Sequence, residues 1–346
     1  MSLSVGQTVP WFIAVTPSNP QFVFDSAAGR YVLILLLPTE PQARGPALRA
    51  LATHQGLFDD AKATAMVVMR DPDAMPGLRD MRGLRWVADR RGVITERYGP
   101  EPRWMLLDPT LRVMAIEPIE AAEAMFRRIA ALPAPGEHAG VPLHAPVLIA
   151  PRIFEPELCR ELIARHEAEG GGDFTGVMRD KGERTVAVMD EGKRRRDIWL
   201  DDPELVEAIR ERLERRLFPM IKLGFHYEPT RIERYLVSCY DAADGAVFHP
   251  HRDNTTQGTA HRRFACSLNL NDAFEGGDLR FGEYGPATYR PPPGGAVVFS
   301  CSMQHEALPV TAGRRYAFLP FFYDEAGAQI LAAYQARTAQ PQGVGA

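Results

Sequence analysis

His251 and Asp253 stand two residues apart, His305 follows 52 residues after Asp253, and Arg315 comes ten residues later. In an extended strand, side chains two apart share a face, so His251 and Asp253 can reach one metal ion while Arg252 faces away. A second strand can then bring in His305. Two imidazoles and one carboxylate on one face of an octahedral ion leave the opposite face open, the arrangement suited to non-haem Fe(II) and oxygen chemistry. Arg315 would set a permanent positive charge beside that open face. Its planar guanidinium suits the distal carboxylate of a chelating dicarboxylate such as 2-oxoglutarate. An H-x-D triplet arises often by chance, and His249 offers a rival histidine two residues earlier, so the weight rests on the whole set.

Residues with these roles need strands to hold them. Phe264, Cys266, Leu268 and Leu270 alternate with Ala265, Ser267, Asn269 and Asn271, and short strands follow between Gly276-Gly277 and Pro291-Pro292-Pro293-Gly294-Gly295. Short strands separated by Gly/Pro turns predict an antiparallel jelly roll over residues 147–326. Two helices should flank it, one over 155–169 and one with Asp202 as N-cap, Pro203 at the first helical position, and Leu205, Ile209, Leu213 and Leu217 down one face. Residues 133–146 hold four prolines without apolar periodicity, which is linker composition. Ahead of them, the apolar runs 31–37, 65–68 and 104–107 read as buried strands, and 46–55 and 120–132 as helices. That alternation predicts an α/β domain with a partly parallel sheet over residues 1–132. Residues 327–346 read as a C-terminal extension, partly disordered, ending in AQPQGVGA.

A net charge of −4 with 45% hydrophobic residues describes a soluble protein without the basic excess of a nucleic-acid binder. No stretch approaches the roughly 20 apolar residues of a membrane span, and the N-terminus lacks a positively charged leader pattern. Cytoplasmic location, with no nucleic acid and no membrane as partner, is the expectation. Cys159, Cys239, Cys266 and Cys301 occur singly, without C-x-x-C spacing, and are expected as reduced, buried thiols. Lys193–Arg196, KRRR, reads as a solvated loop charge run, and His166, His226 and His261 as surface or packing residues.

Read together, VSCYDAADGAVFHPHRDN, RRFACSLNLNDAFEGGDLRF and SCSMQHEALPVTAGRRYAFLPFFYD resemble the prolyl 4-hydroxylase-like branch of the 2-oxoglutarate/Fe(II) dioxygenases. The resemblance spans about residues 147–325 and implies a double-stranded β-helix, that is, a jelly roll with flanking helices. It implies that His251, Asp253 and His305 bind Fe(II) and that Arg315, in an R-Y-A segment, holds the distal carboxylate of 2-oxoglutarate. Arg314 is the rival; the R-Y-A register favours Arg315. Tyr240, in the C-Y segment, is implied as a 2-oxoglutarate contact, with a buried core tyrosine as the bland alternative. Asn269 stands where a tyrosine is common, which weakens its cosubstrate role. The cofactor set implied is Fe(II), 2-oxoglutarate and O2, with ascorbate as an accessory. The carboxylate of Asp253, replaced by a small residue in related halogenases, points to hydroxylation with release of succinate and CO2.

The first domain resembles, more loosely, a peroxiredoxin or other thioredoxin-fold protein through VGQTVPWF, YVLILLLP, RRGVITERYG and RWMLLDPTLRVMAI. The loop that would carry the peroxidatic cysteine reads TEPQARGPA, and the first 158 residues contain no cysteine. A thiol peroxidase cannot act without its thiolate, so redox activity is expected to be lost and Arg103 to be structural. Packing, homodimer formation or substrate presentation remain for this domain. The resulting expectation is a hydroxylase of a protein, peptide or amino-acid-like small-molecule substrate, with proline suggested by family analogy alone. Two alternatives stay open: a jelly-roll metal enzyme that does not use 2-oxoglutarate, and a non-catalytic, metal-holding adaptor that binds partners through its thioredoxin-like domain.

Overall fold

The computed structural model describes residues 3–74 and 77–339 of the 346-residue chain. It divides into two compact units, residues 1–145 with 282–287, and residues 146–281 with 288–346. Most of the proline-rich stretch read as a linker, residues 133–145, therefore groups with the first unit, and residues 282–287 depart from the jelly-roll span in the same way.

In the first unit a five-stranded sheet runs in the order Leu84–Ala88, Ala63–Met69, Tyr31–Leu36, Arg103–Leu107, Val113–Pro118. The first three strands are parallel, and the last two join antiparallel. Tyr31–Leu36 is buried along its length. Leu33 and Leu35 pack with Leu51, Phe126 and Ile129, while Val32, Ile34 and Leu36 pack with Phe24, Ile94 and Tyr98. A continuous apolar run is what a strand covered on both faces requires. The helix expected over 46–55 starts five residues earlier, as Pro41–Thr53. Pro41 sits in the first turn, where no intrahelical donor is needed, and Pro46 removes one donor without ending the helix. The helix expected over 120–132 is the shorter Ala122–Ala130, preceded by a 3-10 turn.

The second unit is an antiparallel sandwich. Its larger sheet follows the order Arg231–Glu233, Phe321–Tyr323, Phe264–Asn269, Val310–Phe318, Leu236–Asp241, Arg196–Trp199, Asp173–Phe174. The smaller follows Lys193–Arg194, Val247–His251, His305–Ala307, Leu279–Arg280, Thr288–Tyr289. Alternation along Phe264–Asn269 sorts its residues between two environments. Cys266 and Leu268 join the core beneath the helices Pro156–Ala168 and Pro203–Arg212, whereas Ser267 and Asn269, equally buried, face the other sheet.

Asp202 caps Pro203–Arg212 through Oδ1, which accepts from the N–H groups of Glu204 (3.1 Å) and Leu205 (3.3 Å). Leu205, Ile209, Leu213 and Leu217 are buried, the last two in a π-helical turn, Leu213–Leu217, that leads into Phe218–Phe225. Asp202→Ala is expected to cost about 1 kcal/mol of stability. Thermal unfolding checks it: an unchanged midpoint contradicts the cap assignment.

Residues 325–339, largely assigned above to a partly disordered extension, form the helix Glu325–Ala339. Its alanines, glutamines and leucine are strong helix formers, and Tyr334 Oη accepts a hydrogen bond from the Thr185 N–H (2.7 Å). Residues 340–346 lie outside the described residues. Among the described residues no helix is long and apolar enough to cross a membrane.

Candidate functional site

His251 ends the strand Val247–His251 and pairs across the smaller sheet with His305, the first residue of His305–Ala307. Asp253 lies beyond the strand, in a bend whose N–H donates to the Cys301 carbonyl (3.0 Å), so the H-x-D segment is only partly extended. Ligand atoms of the three residues all lie within 4.8 Å of one another. Asp253 Oδ1 stands 3.6 Å from His251 Nε2, and Oδ2 stands 3.3 Å from His305 Nε2.

The donor set fits a divalent metal. His251 Nδ1 lies 2.7 Å from the His249 carbonyl and His305 Nδ1 lies 3.1 Å from the Met303 carbonyl. A carbonyl only accepts, so each Nδ1 carries the proton and each Nε2 keeps its lone pair for the shared centre. Burial, then the neighbouring His251, pushes the His305 pKa down to about 4, which keeps that imidazole neutral. Phe248 stacks on His251 at 3.5 Å between ring centres, and Phe299 packs on His305 at 4.5 Å. These rings fix both imidazoles. The rival histidine, His249, is exposed and contributes its carbonyl.

Facing this group from the larger sheet is Arg315, only 2% exposed. Its Nε donates to Asn269 Oδ1 (3.0 Å), its Nη2 donates to Ser267 Oγ (2.7 Å), and its Cζ lies 5.2 Å from the ring centre of Tyr240, its cross-strand partner. Among the described residues no carboxylate pairs with it. A buried guanidinium held only by neutral groups is a prepared anion site. Arg314 instead points outward and pairs with Asp241 at 2.6 Å. Asn269, also 1% exposed, holds Arg315 and donates to the Pro291 carbonyl (3.0 Å). Ser267 was not among the residues singled out by spacing.

The solvated reading of KRRR is corrected by the fold. Lys193 and Arg195 are each 5% exposed and, with Asp197, occupy alternate positions that face inward. Arg195 Nη1 donates to Tyr240 Oη (3.1 Å), and Arg195 pairs with Asp197 at 3.1 Å. Ser238 Oγ donates to Asp197 Oδ1 (2.5 Å). Lys193 Nζ donates to Thr175 Oγ1 (2.7 Å) and the Gly176 carbonyl (2.8 Å). The K-x-R-x-D alternation is the signal that could have revealed this inward face. His261 is buried and bonded to Glu233 (2.8 Å), and His166 is buried against the Tyr316 ring. His226 caps Phe218–Phe225 in the left-handed region. The four cysteines are free, buried thiols.

Residues 235–323 match the sequence pattern of the 2OG-Fe(II) oxygenase superfamily, and the second unit carries a 2OG-Fe(II) oxygenase domain. The chain is similar to a PKHD-type hydroxylase of Maricaulis maris, 31% identical over 115 residues that make up 32% of this chain and 52% of the relative. It is similar to a PKHD-type hydroxylase of Synechococcus sp., 29% identical over 125 residues, 34% of this chain and 53% of that one. The chain thus spans about half the length of the curated relatives it matches. Among solved structures it is similar to a Pseudomonas putida prolyl-4-hydroxylase, with 21% identity, a TM-score of 0.40, and coverage of 52% of this chain and 92% of that one. A Trichoplax adhaerens prolyl hydroxylase shows 20% identity and a TM-score of 0.40 over 56% of this chain and 87% of its own.

Proposed function

We propose that the second unit is a 2-oxoglutarate- and Fe(II)-dependent hydroxylase acting on an unactivated C–H bond of a protein, peptide or amino-acid-like substrate, with a prolyl residue as one candidate target. The observation that carries this reading is the buried, acid-free guanidinium of Arg315 across the sandwich from the His251–Asp253–His305 group. His251, Asp253 and His305 would hold Fe(II). Bound there with 2-oxoglutarate and O2, the iron supplies an oxidant that hydroxylates the substrate while succinate and CO2 leave.

The protein's own part is placement. Arg315 binds the distal carboxylate of 2-oxoglutarate, and Ser267 and Asn269 hold the guanidinium at its angle. Because Arg195 donates to Tyr240 Oη, the phenolic proton is left to point elsewhere, and we assign it to the same carboxylate. The apolar rings of Phe248 and Phe299 limit water around the imidazoles. A metal enzyme without 2-oxoglutarate would leave Arg315 as a buried charge with no anion to meet, which disfavours that alternative.

For the first unit we propose a thioredoxin-like fold without redox chemistry, serving packing or substrate presentation. Its mixed sheet, apolar on both faces, and its lack of cysteine support this reading. Succinate formation from 2-oxoglutarate by the iron-loaded chain under air tests the function. Succinate that depends on His251 supports the hydroxylase. If 2-oxoglutarate neither binds the metal-loaded protein nor yields succinate, the reading fails.

A further inference from the structure

Arg234 is a cation that the site described so far does not use. It precedes Leu236–Asp241 by two residues, and Leu236, Ser238 and Tyr240 alternate toward the sandwich interior. Its backbone lies in the left-handed region, φ 72°, where a non-glycine residue is held only by its surroundings. The guanidinium sits between two aromatic faces, its Cζ 5.8 Å from the ring centre of Trp199 and 5.2 Å from that of Phe321. Trp199 is 56% exposed, so this end of the interior opens to solvent.

Among the described residues no carboxylate or carbonyl bonds Arg234. The nearby acids are engaged elsewhere. Glu233 accepts from Arg262 at 2.5 and 2.9 Å and from His261 at 2.8 Å, and Asp197 accepts from Ser238 and Thr175 and pairs with Arg195. Burial, then the charges of Arg262 and Arg195, lower the Arg234 pKa to about 10, so it remains a cation at neutral pH. Arg262, whose Cζ lies 4.0 Å from the ring centre of the same Phe321, donates to the Asp253 carbonyl (3.3 Å), so Phe321 joins the Arg234 side chain to the segment that carries His251 and Asp253. Lys193 is pushed to about 6, first by burial and then by Arg195, and gives its hydrogens to Thr175 and Gly176.

A planar guanidinium flanked by rings and lacking an acid is matched by a carboxylate, which it can bind through two parallel hydrogen bonds. The distal carboxylate of 2-oxoglutarate is already assigned to Arg315, opposite Tyr240, six positions further along the chain from Arg234. We propose that Arg234, clamped by Trp199 and Phe321, binds a carboxylate of the prime substrate, so that the substrate class is a peptide or amino acid bearing a free carboxylate. This proposal rests on the oxygenase reading for the identity of the ligand as substrate.

The test uses the full chain loaded with Zn(II) and 2-oxoglutarate and carrying isotope-labelled arginine, with N-acetylglycine and its uncharged amide as paired probes. The carboxylate is expected to shift the Arg234 Nε–Hε resonance saturably and the amide to leave it in place. The resonance is assigned by its loss in Arg234→Lys. Arg234→Asn removes the charge yet tolerates a left-handed backbone. It is expected to weaken carboxylate binding, read at the Trp199 indole, by roughly tenfold or more, with Arg234→Lys intermediate. Equal shifts from the two probes, no shift up to the probe's solubility limit, or unchanged affinity in Arg234→Asn overturns the site. A separate titration of 2-oxoglutarate into metal-loaded wild type reads the oxygenase assignment. If 2-oxoglutarate fails to bind while N-acetylglycine still shifts Arg234, the anion site stands and its assignment to a substrate falls.

Discussion

Asp253→Ala removes iron-dependent succinate formation, by more than about 100-fold. Loss of an outer hydrogen-bond partner of a metal site already costs roughly 10–100-fold, and Asp253 is an anionic donor in direct reach of the shared centre. Its carboxylate stands 3.6 Å and 3.3 Å from the two imidazole Nε2 atoms, so without it two neutral donors remain for a dication. His251→Ala should behave alike, because the 4.8 Å cluster has only three ligating side chains among the described residues. Metal content after dialysis and succinate yield are the two readouts. An Asp253→Ala protein that keeps both would remove Asp253 from the ligand set.

Arg315→Ala is the second large effect, expected to weaken 2-oxoglutarate binding by roughly 1.5–3 kcal/mol, the range for hydrogen bonds to a charged group. Arg314→Ala serves as its control. Arg314 is solvent-facing and paired with Asp241, and exposed pairs are worth about 0–1 kcal/mol, so its loss should leave cosubstrate affinity nearly unchanged. Anaerobic titration of 2-oxoglutarate into metal-loaded protein separates the two variants. A loss in Arg314→Ala with none in Arg315→Ala would place the cosubstrate on the outer face of that strand.

The legible part of the site is the part set by residue type and period. His251, Asp253 and His305 stand out because few side chains bind metals, and Asp202-Pro203 because caps are local. The choice of Arg315 over Arg314 rests on the R-Y-A register of the resemblance, since a two-residue period separates neighbours without saying which faces in, and the strand Val310–Phe318 turns Arg315 inward and Arg314 outward. The burial of Lys193 and Arg195 is hidden in the sequence for a physical reason. Charged residues are almost never fully buried unless paired, and their partners come from elsewhere: Thr175 and Gly176 lie 18 and 17 residues from Lys193, and Tyr240 lies 45 from Arg195. Only Asp197, two residues on, was near enough to hint at it. Arg234 was equally opaque, since its left-handed backbone and aromatic neighbours follow from strand pairing, not from its own surroundings in the chain. The helix Glu325–Ala339 is legible only as an alanine-rich run of strong helix formers, without the apolar stripe at helical spacing that marks the helices of the core.

The proposed metal donors all rise from the smaller sheet or its continuation, while Arg315, Tyr240, Ser267 and Asn269 all belong to the larger one. A cosubstrate that grips both therefore acts as a clasp across the two walls. Slow breathing of the sandwich and occupancy of its interior become one coordinate: whatever loosens one sheet from the other also lets the ligand go. Metal or anion alone touches a single wall and leaves that motion free, so the protection each confers should be far smaller than the protection they confer together.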